Sequence, residues 1–264
     1  MGFRYCSLAS GSSGNSHYLE TPENKLLIDA GLSGKKIQEG LAHIGVDPKT
    51  LTGILVTHEH SDHIKGVGIL SRRFNLPIYA NQGTWEAMED CLGKIKPENK
   101  KYFETEGTFI LNDMSINPFG IHHDAKEPVG FCFYHDSKKV SFVTDTGHVC
   151  DKIKAKVKDS DILLIESNHD VNMLRMGSYP WLLKKRVESD YGHISNETAG
   201  NLIVDVCQTT RPIVLLGHLS KENNFPELAI QTVQNILREN KLVEGRDLQL
   251  LLAPRDEPTQ VFEL

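Results

Sequence analysis

A dense cluster of ionisable side chains lies in the segment Thr57–His63, where His58, His60, Asp62 and His63 fall within six residues. On extended backbone, the side chains of His58 and His60 point to the same side and can bind one ion. Asp62 and His63 follow where a helical pattern begins, so they point towards a neighbouring position. Imidazole nitrogen and carboxylate oxygen are ligand types that suit zinc, manganese or iron. The spacing therefore predicts two metal sites served by one loop.

Each of these residues also has an ordinary structural interpretation. A lone histidine is usually a surface or core residue, Asp62 is a plausible helix N-cap, and Glu59 is typical of a solvated surface group. Crowding three imidazoles and a carboxylate into one loop would be electrostatically unfavourable without a bound cation. This favours the metal interpretation.

The elements around this loop are predicted from hydrophobic periodicity. The apolar, β-branched run Gly53–Thr57 indicates a buried strand before the loop. Helical spacing over Asp62–Arg73, continuing as Ile64–Phe74, predicts a helix after it. A strand followed by a helix presents the intervening loop at the carboxyl end of the strand, where its side chains can meet others.

Composition predicts one soluble domain over residues 1–264. The chain of 264 residues is 39% hydrophobic and 24% charged, enough to bury a sizeable core. A formal net charge of −6 gives no overall attraction to phosphate polymers, so nucleic-acid contact would need a local basic patch and bound metal. Five widely spaced cysteines without a Cys-x-x-Cys pair, no signal core and no membrane-length apolar run predict a cytoplasmic protein without membrane contact.

Further candidate residues follow other predicted strands. Taken singly, an aspartate after a strand is often a turn residue, and a histidine at a helix entry is usually structural. A helix is predicted over Asn196–Gln208, shortly after His193. The candidates are Asp29 at the end of Lys25–Asp29, His122 or His123 after Lys101–Phe119, Asp145 after Lys139–Thr144, Glu166 after Asp161–Ile165, His193 before the helix, and His218 after Pro212–Leu216.

Three segments are candidates for substrate contact. Ser10–Ser16 is predicted to be a β-hairpin turn. The alternative is that it lies at the rim of a substrate groove, with Ser12, Ser13 and Asn15 as contacts. Residues 171–191 contain cations beside an aromatic, which are either simply solvated or track a phosphate backbone. The third segment follows His218. The candidates from these last two segments are Arg175, Lys184, Lys185, Ser220 and Asn223.

The string His58-x-His60-x-Asp62-His63 after a strand resembles the signature of the metallo-β-lactamase-fold hydrolases. The resemblance implies an α/β (α+β) fold of the four-layer αβ/βα sandwich type with a dinuclear site at its rim. It implies one metal on His58, His60 and His123, and a second on Asp62, His63 and His218. The context His123-Asp124-Ala125 favours His123 over His122.

The same resemblance implies roles for the remaining candidates. Asp145 would bridge the two metals, and Asp29 would brace the metal-binding loop through hydrogen bonds without coordinating. Glu166 and His193 resemble the dyad of the phosphodiesterase branch, in which the histidine protonates the leaving oxygen. Asp62, Glu166 and His193 are thus the predicted catalytic residues, working with two divalent ions, Mn²⁺, Zn²⁺ or iron.

Within the superfamily, the chain is most similar to the YycJ/WalJ-type bacterial metallohydrolases. The similarity rests on the strings Ser7–Asn15, His123–Gly130 and Gly217–Asn224. It implies a 5′→3′ exonuclease that acts on DNA ends in mismatch repair. The alternatives are an RNase Z-like or cyclic-phosphate phosphodiesterase, a thioesterase or lactamase, which would leave Glu166 and His193 unused, and a metal-loaded regulatory protein without turnover.

Overall fold

Two seven-stranded β-sheets form the centre of the molecule in a computed structural model that describes residues 2–207 and 210–264. The strands in chain order are β1 Arg4–Ala9, β2 Ser16–Glu20, β3 Lys25–Ile28, β4 Gly53–Leu55, β5 Ile78–Ala80, β6 Lys100–Tyr102, β7 Phe109–Leu111, β8 Met114–Gly120, β9 Val129–His135, β10 Lys138–Val143, β11 Ile162–Glu166, β12 Ile213–Gly217, β13 Gln249–Leu252 and β14 Phe262–Glu263. The helices are α1 Gly34–His43, α2 Ser61–Ile64, α3 Val67–Phe74, α4 Gln82–Leu92, α5 Asp151–Val157, α6 Val171–Met176, α7 Trp181–Val187, α8 Asn196–Val206 and α9 Pro226–Glu239.

Each sheet begins with antiparallel hairpins and ends with parallel strands. The first sheet has the order β14-β1-β2-β3-β4-β5-β6, and its strands from β3 to β6 are parallel. The second has the order β13-β12-β11-β10-β9-β8-β7, with β10 to β13 parallel. Parallel neighbours need crossover connections, and helices supply them in both sheets.

Three hydrophobic cores separate four layers. One lies between the first sheet and α1, α3 and α4, and contains Ile37, Leu70 and Trp85. A second lies between the two sheets, and a third between the second sheet and α5, α8 and α9. The arrangement confirms the predicted four-layer αβ/βα sandwich.

The carboxyl ends of several strands carry the candidate residues to one rim of the sandwich. Asp29 follows β3, the loop 57–63 follows β4, Asp145 follows β10, and His218 follows β12. Three of them adopt positive φ, with 58° at Asp29, 58° at Asp145 and 53° at His218. This conformation is uncommon outside glycine, although aspartate and histidine tolerate it better than most residues, and it turns each side chain sharply out of its strand.

The helix predicted over Asp62–Arg73 and Ile64–Phe74 is not continuous. The chain forms α2 over Ser61–Ile64 and α3 over Val67–Phe74, with a break at Gly66. There the Gly66 N–H donates to the Ala30 carbonyl at 2.7 Å, and a Cβ at this position would lie 2.5 Å from the Leu32 carbonyl oxygen. The close approach of two backbones interrupts the helical pattern.

Other boundaries also differ from the sequence-based expectation. The range Lys101–Phe119, predicted as strand, contains β7, most of β8 and the end of β6, which begins one residue earlier at Lys100. Helix α8 extends from Asn196 to Val206 with Ser195 as its N-cap, and the predicted final residue, Gln208, lies outside the described residues. In the described ranges, none of the helices has both the length and the apolar character that a membrane crossing requires.

Candidate active site

Three imidazoles form the first group of potential metal ligands. His58 and His60 come from the loop after β4, and His123 comes from the segment between β8 and β9. Their ring centroids are 4.8–5.0 Å apart, and His60 Nδ1 lies 3.2 Å from His123 Nε2. Two nitrogens bound tetrahedrally to one zinc ion at its usual bond length would lie about 3.3 Å apart. The spacing fits a shared ion.

The second group combines Asp62, His63 and His218. Asp62 Oδ2 lies 3.7 Å from His63 Nε2 and 3.7 Å from His218 Nε2. Asp62 and His63 stand in the single turn of α2, while His218 follows β12 in the other sheet. The two sheets therefore meet at this group.

Asp145 lies between the two groups. Its Oδ2 is 3.4 Å from His63 Nε2, and its Oδ1 is 3.9 Å from His123 Nε2. Burial raises the pKa of this carboxyl, but the neighbouring His218 and His63 imidazoles outweigh burial and hold its pKa well below the usual range. The side chain is therefore an anion facing both groups.

Buried polar atoms without hydrogen-bond partners mark where cations would bind. Among the described residues, His58 Nε2, His218 Nε2 and Asp145 Oδ2 are such atoms. Burial lowers the pKa of His58 well below its usual value, so this ring is neutral and keeps a free lone pair on Nε2. A desolvated polar atom without a partner destabilises the fold, and metal coordination would satisfy all three. The residues present fit divalent metal ions.

Asp29 is hydrogen-bonded to the loop that carries the candidate metal ligands. Its Oδ2 accepts from His63 Nδ1 at 2.7 Å and from the Thr57 hydroxyl at 2.8 Å, and its Oδ1 accepts from the Thr57 N–H at 2.8 Å. These bonds leave His63 Nε2 directed at Asp62 and Asp145. A carboxylate that holds the far nitrogen of an imidazole in this way selects its tautomer and ring orientation.

Glu166 joins the candidate proton donor to the second ligand group. Its Oε1 lies 2.6 Å from His193 Nδ1 and 2.8 Å from His218 Nδ1. Burial raises the pKa of Glu166, but His193 and His218 outweigh burial and lower it, so the carboxylate is ionised. His193 is 17% exposed in its side chain, whereas Glu166 is fully buried. The imidazole thus faces the open site with its Nδ1 held from behind.

A cavity of about 220 Å³ opens above these residues. Of the predicted substrate residues, Ser12 and Ser220 line it. Asn15 is buried instead, with its amide 3.1 Å from His63 Nε2, and Asn223 is buried against Ser220. Ser13 is exposed outside the lining of this cavity.

Arg175, Lys184 and Lys185, the substrate candidates of residues 171–191, also lie outside the cavity lining. Arg175 Nε pairs with Glu188 at 2.8 Å, Lys184 Nζ donates to the Arg175 carbonyl, and Lys185 Nζ lies 5.0 Å from the Trp181 ring centroid. His122, the alternative ligand to His123, packs against His148 at 5.3 Å between ring centroids and belongs to neither ligand group among the described residues.

Five further residues complete the cavity lining, and of these the sequence indicated only Arg186, as one of the cations of residues 171–191. They share a location on or beside the segment between β11 and His193, and they are Asn168, Tyr179, Leu183, Arg186 and Val187. Four belong to α7 or its entry, where the register of a seven-residue helix decides which side chains face the metals. A run of leucine, lysine and arginine offers no sequence signal for that register.

Comparisons with known proteins agree with this geometry. The family model described as the metallo-beta-lactamase superfamily matches residues 9–196. Exodeoxyribonuclease WalJ of Streptococcus pneumoniae serotype 2 is 47% identical over 266 residues, spanning 100% of this chain and 99% of that protein. Exodeoxyribonuclease YycJ of Bacillus anthracis is 42% identical over 261 residues, 99% of both chains. The metallo-beta-lactamase fold protein YhfI from Bacillus subtilis superposes with a TM-score of 0.73 over 98% of this chain and 99% of that one, at 14% identity, a likeness of fold alone.

Proposed function

The chain belongs to the metallo-β-lactamase superfamily and is a metal-dependent hydrolase of the YycJ/WalJ type, and we propose that its reaction is the 5′→3′ exonucleolytic hydrolysis of DNA. The relatives named exodeoxyribonucleases match the whole chain at 42–47% identity, which supports a nucleic-acid substrate. The proposal extends to DNA ends as the substrate and to a role in mismatch repair in the cytoplasm.

The proposal includes two divalent metal ions. His58, His60 and His123 would hold one, and Asp62, His63 and His218 the other, with Asp145 between them. Zinc, manganese and iron all accept this set of imidazoles and carboxylates. When bound, the ions supply Lewis-acid neutralisation of charge on a phosphoryl group and a water that is acidic enough to attack near neutral pH.

The single observation that carries the phosphodiesterase assignment is the 2.6 Å bond between Glu166 and His193 beside the ligand groups. Hydrolysis of a DNA phosphodiester expels an alkoxide, which is a poor leaving group unless it is protonated. The Glu166 carboxylate accepts from His193 Nδ1 and fixes the ring, so that Nε2 is the nitrogen left to donate a proton to the leaving oxygen. A thioesterase or lactamase reaction would not use the Glu166–His193 pair.

Direction and substrate are tested with 5′-phosphorylated duplex DNA in the presence of Mn²⁺ or Zn²⁺. With a label at the 3′ end we expect stepwise shortening, and with a label at the 5′ end we expect labelled mononucleotide from the first time point. Asp145→Asn should abolish both, whereas Asp205→Asn, at a surface carboxylate paired with Lys154 at 2.8 Å, should abolish neither.

Two results would contradict the exonuclease proposal. Internal fragments from both labelled substrates would indicate an endonuclease. Intact DNA together with turnover of a small cyclic phosphodiester would move the substrate to that class and keep the hydrolytic chemistry.

A further inference from the structure

One wall of the cavity is formed by α7 and the residue two positions before it, outside the ligand groups. Tyr179, Leu183, Arg186 and Val187 make up this surface, which we call the α7 wall. Residues of the two ligand groups, together with Ser12, Ser220, Asn168 and His193, make up the rest of the lining. Metal-catalysed attack on a phosphodiester does not need an apolar and cationic wall of this kind.

Arg186 is held in a fixed orientation beside the first ligand group. Its Nε donates to Asp124 Oδ2 at 2.5 Å, and Asp124 directly follows the predicted ligand His123. In the described part of the chain the Arg186 Nη groups have no hydrogen-bond partner, and about half of the side chain is exposed. A guanidinium anchored through Nε keeps its outer N–H groups free for two parallel bonds to a phosphate.

Charge supports an anionic occupant at Arg186. Among the described residues that line the cavity, Arg186 is the only lysine or arginine, in a chain whose net charge is −6. Arg175 on the same segment makes a similar ion pair, through its Nε to Glu188, but on the outside of the cavity. Arg175 and Arg186 therefore make the same kind of ion pair, and only Arg186 lies in the cavity lining.

Tyr179 and Leu183 give the wall a flat, apolar surface. The Tyr179 ring is half-buried, and its hydroxyl has no partner within residues 2–207 and 210–264. Tyrosine presents a planar face on which any nucleobase can stack, independently of sequence. A cation for phosphate beside an aromatic face is the combination that a nucleotide requires.

We propose that the α7 wall is a nucleotide-binding site, in which Arg186 binds a phosphate of the substrate strand and Tyr179 stacks on a base. Asp124 is a positioning residue that acts through Arg186. The proposal rests on the proposed function and specifies its substrate class, because it makes recognition depend on a nucleotide as well as on a phosphodiester bond.

The test compares two substrates in each variant with saturating Mn²⁺, a 5′-phosphorylated single-stranded oligonucleotide and bis(4-nitrophenyl) phosphate. Arg186→Gln should raise the KM for the oligonucleotide about 10- to 100-fold, the range expected when a hydrogen bond to a charged group is lost. Its effect on bis(4-nitrophenyl) phosphate should be at least tenfold smaller. Arg175→Gln is the matched control and should change neither.

Three further variants separate the roles of the base, of Asp124 and of the guanidinium group. Tyr179→Leu should raise the KM about tenfold for the normal oligonucleotide and much less for one whose 5′-terminal nucleotides are abasic. Asp124→Asn should raise the KM more than it lowers kcat. Arg186→Lys should recover only part of the affinity, because an ammonium group lacks the planar fork that bonds to Asp124 through Nε and leaves two parallel N–H groups for phosphate.

Failure of the wall and failure of the proposed function give different results. If the wild-type protein degrades the oligonucleotide and Arg186→Gln behaves like Arg175→Gln, the α7 wall is not a nucleotide site although the nuclease assignment stands. If Arg186→Gln slows hydrolysis of both substrates by the same factor, the arginine is structural and the proposal is overturned. If the wild type hydrolyses only bis(4-nitrophenyl) phosphate, the nuclease assignment and the wall fall together.

Discussion

Glu166 Oε1 lies 2.6 Å from His193 Nδ1, and the same oxygen lies 2.8 Å from His218 Nδ1. One buried carboxylate therefore holds both the candidate proton donor and a candidate metal ligand. The proposed proton delivery and the proposed metal binding share this atom, and the two functions should be separable by substitution on either side of it.

Replacing Glu166 with glutamine should impair both functions. Metal affinity should fall about 10- to 100-fold, as when other outer partners of ligand imidazoles are removed. Turnover should remain at least about 100-fold low even at saturating metal, because His193 loses the carboxylate that orients its ring for proton transfer. Chelator competition measures the first effect and steady-state kinetics the second. Unchanged metal affinity would show that the bond to His218 is not functional.

Asp29→Asn tests the bracing of the metal-binding loop. The substitution places an amide where His63 Nδ1 and the Thr57 hydroxyl now donate, so His63 loses its fixed orientation. We expect metal affinity to fall about 10- to 100-fold. Asp113→Asn is the control, because Asp113 accepts bonds from Thr21 and Asn24 far from the ligand groups and should change stability alone. Equal metal affinity in both variants would contradict the role of Asp29.

Much of the site is local in sequence and could be predicted for that reason. His58, His60, Asp62 and His63 are carried by one loop, so their type and spacing reveal a metal site without knowledge of the fold. His123, Asp145 and His218 are far apart in the chain. Their assignment depended on resemblance, because a histidine or aspartate after a strand has several ordinary uses.

Tertiary contacts determine where the helix breaks at Gly66 and which side chains of α7 face the cavity, and local sequence patterns predict neither. Gly66 breaks a periodic helical pattern because the loop after β3 approaches its backbone. On α7, Lys184, Lys185 and Arg186 are consecutive cations, and only the last faces the cavity. The packing of a two-turn helix sets that direction, and no local pattern records it.

Ile116→Ala tests the core between the two sheets. Ile116 on β8 is fully buried there, and its truncation should lower the free energy of unfolding by about 2–5 kcal/mol. Ile110 on the neighbouring strand β7 is 76% exposed, so Ile110→Ala should cost less than about 1 kcal/mol. Urea denaturation at constant metal concentration measures both. Equal losses would contradict the inter-sheet packing.

His17 makes stability depend on pH. Burial, followed by the nearby His63 and His218, lowers its pKa to about 3. An unfolded histidine has a pKa of about 6.5, so the unfolded chain takes up the proton first as pH falls below that value. The free energy of unfolding should then decrease between pH 6.5 and 3, with a share from His17 of up to about 1.4 kcal/mol per pH unit.

Unfolding of His17→Gln between pH 6 and pH 5 isolates this share. The variant should show a shallower pH dependence than the wild type at the same metal concentration. Parallel curves would mean that His17 is not held neutral by the fold.

The role of His193 as the proton donor is tested most directly by leaving-group dependence in His193→Gln. The variant should bind metal as the wild type does, because His193 is not one of the proposed ligands. On DNA, whose leaving alkoxide needs a proton, its turnover should fall about 100- to 10,000-fold. On bis(4-nitrophenyl) phosphate, whose leaving anion is stable without one, the loss should be far smaller. Equal losses on both substrates, or full turnover on DNA, would contradict the account.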